Sequence, residues 1–472
     1  MRRLFALLLI LWGIGALAQK QPERFTLRKG VIMDSLPVQD SVARELMLYL
    51  PRDFETSRTW PLIFICVENG MAKQTIRSMA VAAENNGYIL ATTDAIQDTI
   101  SLTEKVLRIN TRLDKLKGYL PLDLNRIYTA GYDLGGQLAS LVPSLIRPVR
   151  GVLSIGANMP SLELIEERGT YEYVAIMGRA DYLYEDLLAV EEVLDQKKVS
   201  NHVIYHNQGH QWPESSYIDY GMQFLSLMAL KDARAPKDTV FIRSSFQNFQ
   251  DYISSLEAKG EYLLAMDQVE EGLSLFDGLT DTDWLKDKRR ELRKNRSYKD
   301  QNRDWEQVRL QEIILTEDYA FYLQEDVATF NLNNLGWWNY QMGKIIKFKD
   351  SSKKEEKLLG LRLEGYINAL VSDYINAYGT GANPDEDALI FLYMLKTITA
   401  PFEYGNYLKV ISYTAKYGDF GTANFYLEEL LKKGYRDADN LYDLPHTGLL
   451  RISPEFNKLI EQYLGQARYA IE

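Results

Sequence analysis

Between residues 25 and 230 the chain alternates short apolar runs, rich in β-branched and aromatic residues, with longer stretches of helical periodicity. The runs that predict strands are residues 45–50, 62–67, 88–93, 126–130, 152–155, 173–177 and 202–205. The stretches that predict helices between them are residues 74–86, 102–117, 136–146, 183–197 and 219–230. This alternation predicts an α/β domain with a mostly parallel sheet and helices on both faces.

The pattern changes after residue 230. Residues 231–238 are polar and include Pro236, which indicates a linker or a seam between domains. Beyond it strand-like runs nearly vanish and amphipathic helices follow, as at 359–378, where apolar residues recur on one helical face. We therefore expect an α/β domain over residues 19–231 and an all-α domain over residues 239–472.

One segment of the helical half is repeated. Residues 260–262 (Gly-Glu-Tyr) recur as residues 418–420 (Gly-Asp-Phe), each after an amphipathic helix, and each copy ends in a glycine, Gly278 or Gly434. The copies resemble the helix-turn-helix unit of tetratricopeptide repeats. Residues 281–400 do not keep the period, so an ordinary helical bundle remains an alternative.

The first residues predict export. Met1-Arg2-Arg3 precedes a short apolar run that ends in Ala16-Leu17-Ala18, the pattern of a secretory signal peptide over residues 1–18. This run is too short to span a bilayer comfortably, so we do not expect an integral membrane protein. The formal net charge is -11 and no basic cluster stands out, which disfavours nucleic acid as a partner.

The chemistry of the α/β half centres on residues 131–136, Gly-Tyr-Asp-Leu-Gly-Gly. A predicted strand precedes this run and a predicted helix follows it. Strand, Gly-x-nucleophile-x-Gly and helix together are typical of the nucleophile elbow of the α/β-hydrolase fold, where a sharp turn exposes one side chain above the sheet. That side chain is normally serine, and here it is Asp133.

Two further residues follow in the order that the fold uses, nucleophile, acid, histidine. Asp181 follows one predicted strand, and His210 follows the last one within Gly-His-Gln-Trp-Pro. The stretches that carry a family resemblance are residues 61–70, 125–139, 178–181 and 209–213. They resemble the secreted esterase branch of the α/β hydrolases, the polyhydroxybutyrate-depolymerase and feruloyl-esterase-like proteins. The resemblance implies that Asp133 holds the nucleophile position, Asp181 the acid and His210 the base.

The chain departs from that branch in two places. A carboxylate at Asp133 is a weaker nucleophile than an activated serine and would form an anhydride from an ester. Haloalkane dehalogenases and epoxide hydrolases use aspartate here, on alkyl carbons. In those families a tryptophan lies next to the aspartate and a cap domain covers the site. Here the neighbour is Leu134, and residues 157–171 are too few for such a cap.

The second departure is the loop that should hold the oxyanion. The resemblance expects His-Gly-Gly-Gly after the strand at 62–67, but the chain has Val67-Glu68-Asn69-Gly70. We expect Glu68, Asn69 and Leu134 to lie around the oxyanion position. A negative charge at Glu68 would oppose the stabilisation that this loop normally gives.

Other interpretations of these residues remain open. His210 between two carboxylates would be held as imidazolium in a structural ion pair. Asp133 would then be an acceptor at the start of the following helix. A divalent metal bound by Asp133, Asp181, His210 and Glu68 is a less favoured alternative, and we predict no cofactor or metal.

Together these features favour an exported, catalytically inactive hydrolase-like protein that binds a protein partner through its helical domain. The alternative is an active, esterase-like hydrolase that uses Asp133 or a bound metal. An ordinary serine esterase is disfavoured because Ser140, the nearby serine, is predicted to be buried in the helix after the elbow. The sequence does not separate the periplasm from the extracellular space.

Overall fold

The computed structural model describes residues 26–36, 38, 40–96, 99–166, 169–380 and 384–469. The predicted signal peptide, residues 1–18, lies outside the described residues. The strands are β1 Ile32–Met33, β2 Met47–Tyr49, β3 Trp60–Cys66, β4 Ile89–Thr92, β5 Leu122–Tyr132, β6 Gly151–Ile155, β7 Glu172–Gly178 and β8 Ser200–His206. The helices of the first half are α1 Ser41–Arg44, α2 Ala72–Asn86, α3 Leu102–Tyr119, α4 Leu134–Leu145, α5 Tyr184–Gln196 and α6 Ser215–Lys231. The helices of the second half are α7 Thr239–Ala258, α8 Tyr262–Leu275, α9 Asp283–Lys294, α10 Arg296–Thr329, α11 Leu335–Lys349, α12 Lys354–Gly379, α13 Glu386–Thr399, α14 Tyr404–Lys416, α15 Phe420–Lys432, α16 Ala438–Asp443 and α17 Pro454–Leu464.

The eight strands form one sheet in the order β1-β2-β4-β3-β5-β6-β7-β8. β2 pairs antiparallel with β1 and β4, and every pairing from β4 to β8 is parallel. Strands β3 and β7 are buried along their whole length, as expected for strands covered on both faces. The prediction of an α/β domain with a mostly parallel sheet is therefore confirmed.

The parallel arrangement decides where functional side chains collect. The carboxyl ends of β5, β7 and β8 lie at one edge of the sheet, with Ile155 of β6 opposite Tyr132 of β5 and Gly178 of β7 opposite His206 of β8. The loops after these strands carry Asp133, Asp181 and His210. Open α/β sheets generally hold their sites at this edge.

Among the described residues after residue 239 the regular structure is helical, which confirms the predicted helical half. The polar stretch 231–238 does not separate two apolar cores, however. Buried residues of α7–α9, such as Phe249, Val269 and Leu285, belong to the same cluster as the core of the sheet. A second cluster lies beneath α10–α13 and a third beneath α14–α17. The first three helices of the second half are thus packed as part of the sheet domain.

The two copies of the repeated segment are helical hairpins, α7 with α8 and α14 with α15. The turns contain Gly260 (φ 74°) and Gly418 (φ 76°), both in the left-handed region that favours glycine. Gly278 and Gly434 follow the second helix of each hairpin, also with positive φ. Within the described part of the chain, we find no helix with the length and apolar character needed to cross a membrane.

Candidate functional site

Asp133 lies in the sharp turn between β5 and α4, with φ 49° and ψ -123°. Its N–H donates to the carbonyl of Ile155 (3.1 Å), and its carbonyl accepts from the N–H of Gln137 (2.9 Å). A non-glycine residue with positive φ is uncommon and strained, and such strain is often found at functional sites. The structure therefore has the strand-turn-helix geometry that the motif predicts.

Two glycines make this turn possible. A Cβ atom at Gly131 would lie 2.2 Å from the carbonyl oxygen of Gly135. A Cβ atom at Gly135 would lie 2.4 Å from the carbonyl oxygen of Cys66 at the end of β3. Both contacts are with backbone, which cannot move aside as a flexible side chain can. The motif glycines are thus required by the close approach of α4 to β3 and β5.

The three residues that the sequence singles out come together. Asp181 is 1% exposed, and its Oδ1 accepts from the N–H of Leu183 (3.0 Å). Its Oδ2 lies 2.9 Å from Nδ1 of His210. On the other side of the ring, Nε2 of His210 lies 3.6 Å from Oδ2 of Asp133, an ion-pair distance beyond that of a good hydrogen bond. The imidazole is therefore placed between two carboxylates.

This placement controls the charge of His210. Burial lowers the pKa of the imidazole, but pairing with Asp133 and Asp181 raises it by more, and the pKa becomes about 9. At neutral pH the ring is imidazolium and has no lone pair to accept a proton. Because the pKa is raised on folding, this pair stabilises the fold fully below the unfolded pKa of about 6.5. That stabilisation is lost as the pH rises through about 9.

Aromatic rings enclose the imidazole. The ring of Tyr182 lies 4.8 Å from that of His210, and the ring of Tyr132 lies 5.5 Å away on centroids. Trp212 packs against Tyr132 in turn, also at 5.5 Å. Tyr132 and Tyr182 were not predicted from the sequence. Their positions next to Asp133 and Asp181 were the one signal that could have indicated them.

The helical half covers this site. Gly365 of α12 lies so close to Tyr182 that a Cβ atom at residue 365 would be 3.2 Å from the Cβ of Tyr182. On the same helix, burial and the negative charge of Asp133 raise the pKa of the Asp373 carboxyl. The described part of residues 157–171 holds only a short 3₁₀ turn, Leu162–Leu164. The cover over the site therefore comes from α12, which the sequence reasoning did not identify.

Buried ion pairs fix this cover beside Asp181. Arg179 donates to Glu355 of α12 (2.8 Å), and both side chains are almost fully buried. Arg362 of the same helix donates to the carbonyl of Arg179 (2.6 Å) and to both carboxylate oxygens of Glu312 on α10. Trp305 of α10 donates to the hydroxyl of Tyr184 (3.1 Å). The site and the helical half are thus joined through the loop that carries Asp181.

The predicted oxyanion loop follows β3. Glu68 lines a cavity of about 120 Å³ together with Tyr132 and Trp212, and its carbonyl accepts from the N–H of Met71 (3.0 Å). Asn69 is exposed, and so is Leu134, the first residue of α4. Burial, then Asp133, Asp181 and Glu68, raise the pKa of the Tyr132 phenol to about 12. The negative charge of Glu68 therefore adds to the negative electrostatic potential at Tyr132, the residue before Asp133.

The structure also locates Ser140 and allows a search for metal-binding groups. Ser140 is fully buried in α4, where its hydroxyl donates to the carbonyl of Gly136 (2.8 Å), so it is not placed as a nucleophile. Over the ranges that the structure describes, no group of three or more histidine, cysteine, aspartate or glutamate residues is arranged to hold a metal ion.

Comparison with known proteins yields only structural neighbours. No family model matches the chain, and no curated protein matches it. The chain is similar to the S-formylglutathione hydrolase of Staphylococcus aureus (14% identity, 43% of this chain and 99% of that one, TM-score 0.34). It is also similar to an esterase of Pyrobaculum calidifontis (13%, 39% and 80%, TM-score 0.34) and to an esterase of Rhizomucor miehei (13%, 44% and 86%, TM-score 0.35). The α/β sheet domain thus has esterases and hydrolases as distant structural neighbours, and no activity follows from likeness at this level.

Proposed function

We propose that this chain is an exported, non-catalytic protein with an α/β-hydrolase-like domain of the secreted esterase type, and that its helical half binds a protein partner. The observation that supports this most is the position of His210 between Asp133 and Asp181. A hydrolase needs a neutral imidazole to take a proton from its nucleophile or from water. Here the ion pair holds that imidazole in its charged form at neutral pH.

The surroundings of the pair also oppose ester hydrolysis. Acyl transfer develops a negative charge on the substrate oxygen, and loss of one donor to that oxygen costs about 3 kcal/mol of transition-state stabilisation. The carboxylates of Glu68 and Asp373 both act electrostatically on groups of this site. They would repel such a charge.

The surface of the long helix α10 supports partner binding. Leu310, Ile314 and Phe321 are 65%, 53% and 59% exposed, and their spacing puts them on one helical face. Leu310 and Ile314 are one helical turn apart, whereas the exposed Glu317 and Asp318 separate Ile314 from Phe321, so the adjacent apolar pair is the candidate contact for a partner. The tetratricopeptide-like interpretation of the two hairpins agrees with this role, because stacked helical hairpins often present surfaces for protein partners.

The alternative is a hydrolase that uses Asp133 as nucleophile at an alkyl carbon. The retained elbow strain and the partial exposure of Asp133 favour it. In that reaction a carboxylate oxygen of Asp133 displaces a leaving group, and water activated by His210 then cleaves the new ester bond. Because the ester formed on Asp133 carries no charge, the pKa of His210 falls below about 9 in this intermediate, and neutral His210 becomes available for the water step.

A panel of substrates separates the two proposals. The wild-type protein, Asp133→Ala and Asp133→Ser are compared on short-chain and aryl esters, an alkyl halide and an epoxide. We expect wild type and Asp133→Ala to be equally inert. Asp133→Ser is expected to gain ester turnover, because it restores a hydroxyl and removes one carboxylate from His210. A working general base increases a reaction rate by about 10²–10⁴-fold, so the gain should be of this size.

Two controls define the outcome. His210→Gln added to Asp133→Ser should abolish the gained turnover, since the serine would then lack its base. Turnover of any substrate by wild type that Asp133→Ala removes would overturn the non-catalytic proposal and establish Asp133 as a catalytic residue.

A further inference from the structure

A second cavity lies between the sheet domain and the helical half, apart from Asp133 and His210. It has a volume of about 250 Å³ and is lined by residues of the loop after β7, of α5, β8, α8 and α10. Four of its lining residues are aromatic: Tyr184, Tyr205, Tyr298 and Trp305. Sites for drug-sized ligands usually measure about 300–1,000 Å³, so this cavity suits a smaller molecule.

The cavity contains more negative than positive groups. Four carboxylates line it (Glu191, Asp267, Glu270 and Glu271), whereas its one cationic lining residue is Arg179. The guanidinium of Arg179 already donates to Glu355 (2.8 Å). This guanidinium also acts on Asp267 through its charge, but it is a single positive group, already paired with Glu355, against four carboxylates.

Three of the four carboxylates have a partner. Glu270 accepts from Arg289 (3.1 Å) and Arg293 (3.0 Å). Glu191 accepts from the hydroxyl of Tyr205 (2.9 Å). Glu271 lies 2.5 Å from Nδ1 of His202.

Asp267 differs from its neighbours. Within the part of the chain that the structure describes, its carboxylate has neither a hydrogen bond nor an ion pair, and the charge of Arg179 is the favourable influence on it. It is only partly exposed and lines the cavity. A carboxylate that is largely removed from water and has no direct partner is stabilised when a cation joins it.

We propose that this cavity binds a small organic cation, a primary ammonium on a short alkyl chain. The ammonium donates to Asp267, and the alkyl chain lies against the aromatic walls. Aromatic faces attract cations within about 6 Å, and this attraction grows as water is excluded. A hard metal ion would instead need several converging oxygen ligands, and no such group of three occurs among the described residues.

The titration of two acids agrees with a cation site. Burial first, and then the charges of Glu271, Glu355 and Glu270 against the opposing effect of Arg179, raise the pKa of Asp267 to about 7. Burial and the neighbouring charges of Glu271 and Asp267 raise the pKa of Glu191 to about 8. A bound ammonium stabilises the ionised carboxylates and lowers these pKa values, so binding releases protons near neutral pH.

Calorimetry of the whole mature chain tests this inference with n-butylammonium as the probe and n-butanol as a neutral molecule of the same shape. We expect n-butylammonium to bind at about millimolar concentration and n-butanol not to bind. Affinity should increase between pH 6 and 8, as Asp267 loses its proton, with proton release that differs between buffers of different ionisation heat.

The variants assign the site. Asp267→Asn keeps the side-chain shape, removes the charge and should weaken binding at least tenfold, while Asp277→Asn, on the surface after α8, should leave it unchanged. If Asp267→Asn fails to fold, Glu191→Gln serves instead and should weaken binding several-fold. Equal binding of butanol, no binding of butylammonium, or unchanged binding by the folded cavity variant would each overturn the inference. None of these outcomes depends on whether the elbow is catalytic.

Discussion

Gly135→Ala is expected to lower the free energy of unfolding by about 4 kcal/mol or more, the range reached when a substitution breaks a tightly packed part of the fold. The new Cβ would lie 2.4 Å from the carbonyl oxygen of Cys66 and 3.3 Å from the Cα of Val67. Relief requires α4 to move away from β3, and that movement would also displace Asp133 at the start of the helix. Thermal or urea unfolding of the purified variant measures the loss.

Gly343→Ala is the matched control. Gly343 lies on an exposed part of α11, where a Cβ would meet no described atom within 4 Å outside the backbone of its own helix. Alanine has the higher helix propensity, so this change should stabilise the protein by up to about 1 kcal/mol. A Gly135→Ala variant as stable as wild type would show that α4 and β3 are not in such close contact.

Arg362→Met is expected to destabilise the protein by about 3–5 kcal/mol, because it leaves a buried carboxylate without its partner. Arg362 is 2% exposed and Glu312 is 3% exposed. The guanidinium donates to both oxygens of Glu312, donates to the carbonyl of Arg179, and lies 5.0 Å above the ring of Tyr184. Its removal therefore weakens the contact between the helical half and the loop that carries Asp181.

A double-mutant cycle separates the pair from its surroundings. Adding Glu312→Met to Arg362→Met should recover part of the lost stability, since two apolar side chains replace both buried charges. Arg303→Ala, which removes an exposed arginine beside Asp300, should change stability by less than about 1 kcal/mol. A loss for Arg362→Met no larger than that for Arg303→Ala would contradict the buried ion-pair account.

Periodicity predicted the sheet well because buried parallel strands are short continuous apolar runs. All seven predicted strands are present, and their centres agree with the structure. The missed strand, Ile32–Met33, has two residues, too few to form a pattern. The apolar contacts of α7–α9 with the sheet domain were not predictable either. An amphipathic helix reveals that it has a buried face, but not which surface covers that face.

The three central residues of the site were predictable from the sequence, whereas the helix that covers them, α12, was not. Asp133, Asp181 and His210 each follow a strand, and parallel strands bring such loops to one edge of the sheet. Asp373 and Gly365 reach the same place from α12, more than 150 residues further along the chain than His210. Nothing in local sequence indicates such a contact, because it depends on how the two halves pack.

The charge of His210 tests the central claim, that two carboxylates hold this ring as imidazolium. The chain has four histidines, so an NMR titration of their ring protons is tractable, and His210→Gln assigns the signal. We expect His210 to titrate near pH 9 in the wild type. In Asp133→Ser its pKa should fall by at least about one unit, since one carboxylate is lost. A wild-type pKa at or below about 6.5, unchanged in Asp133→Ser, would contradict the account.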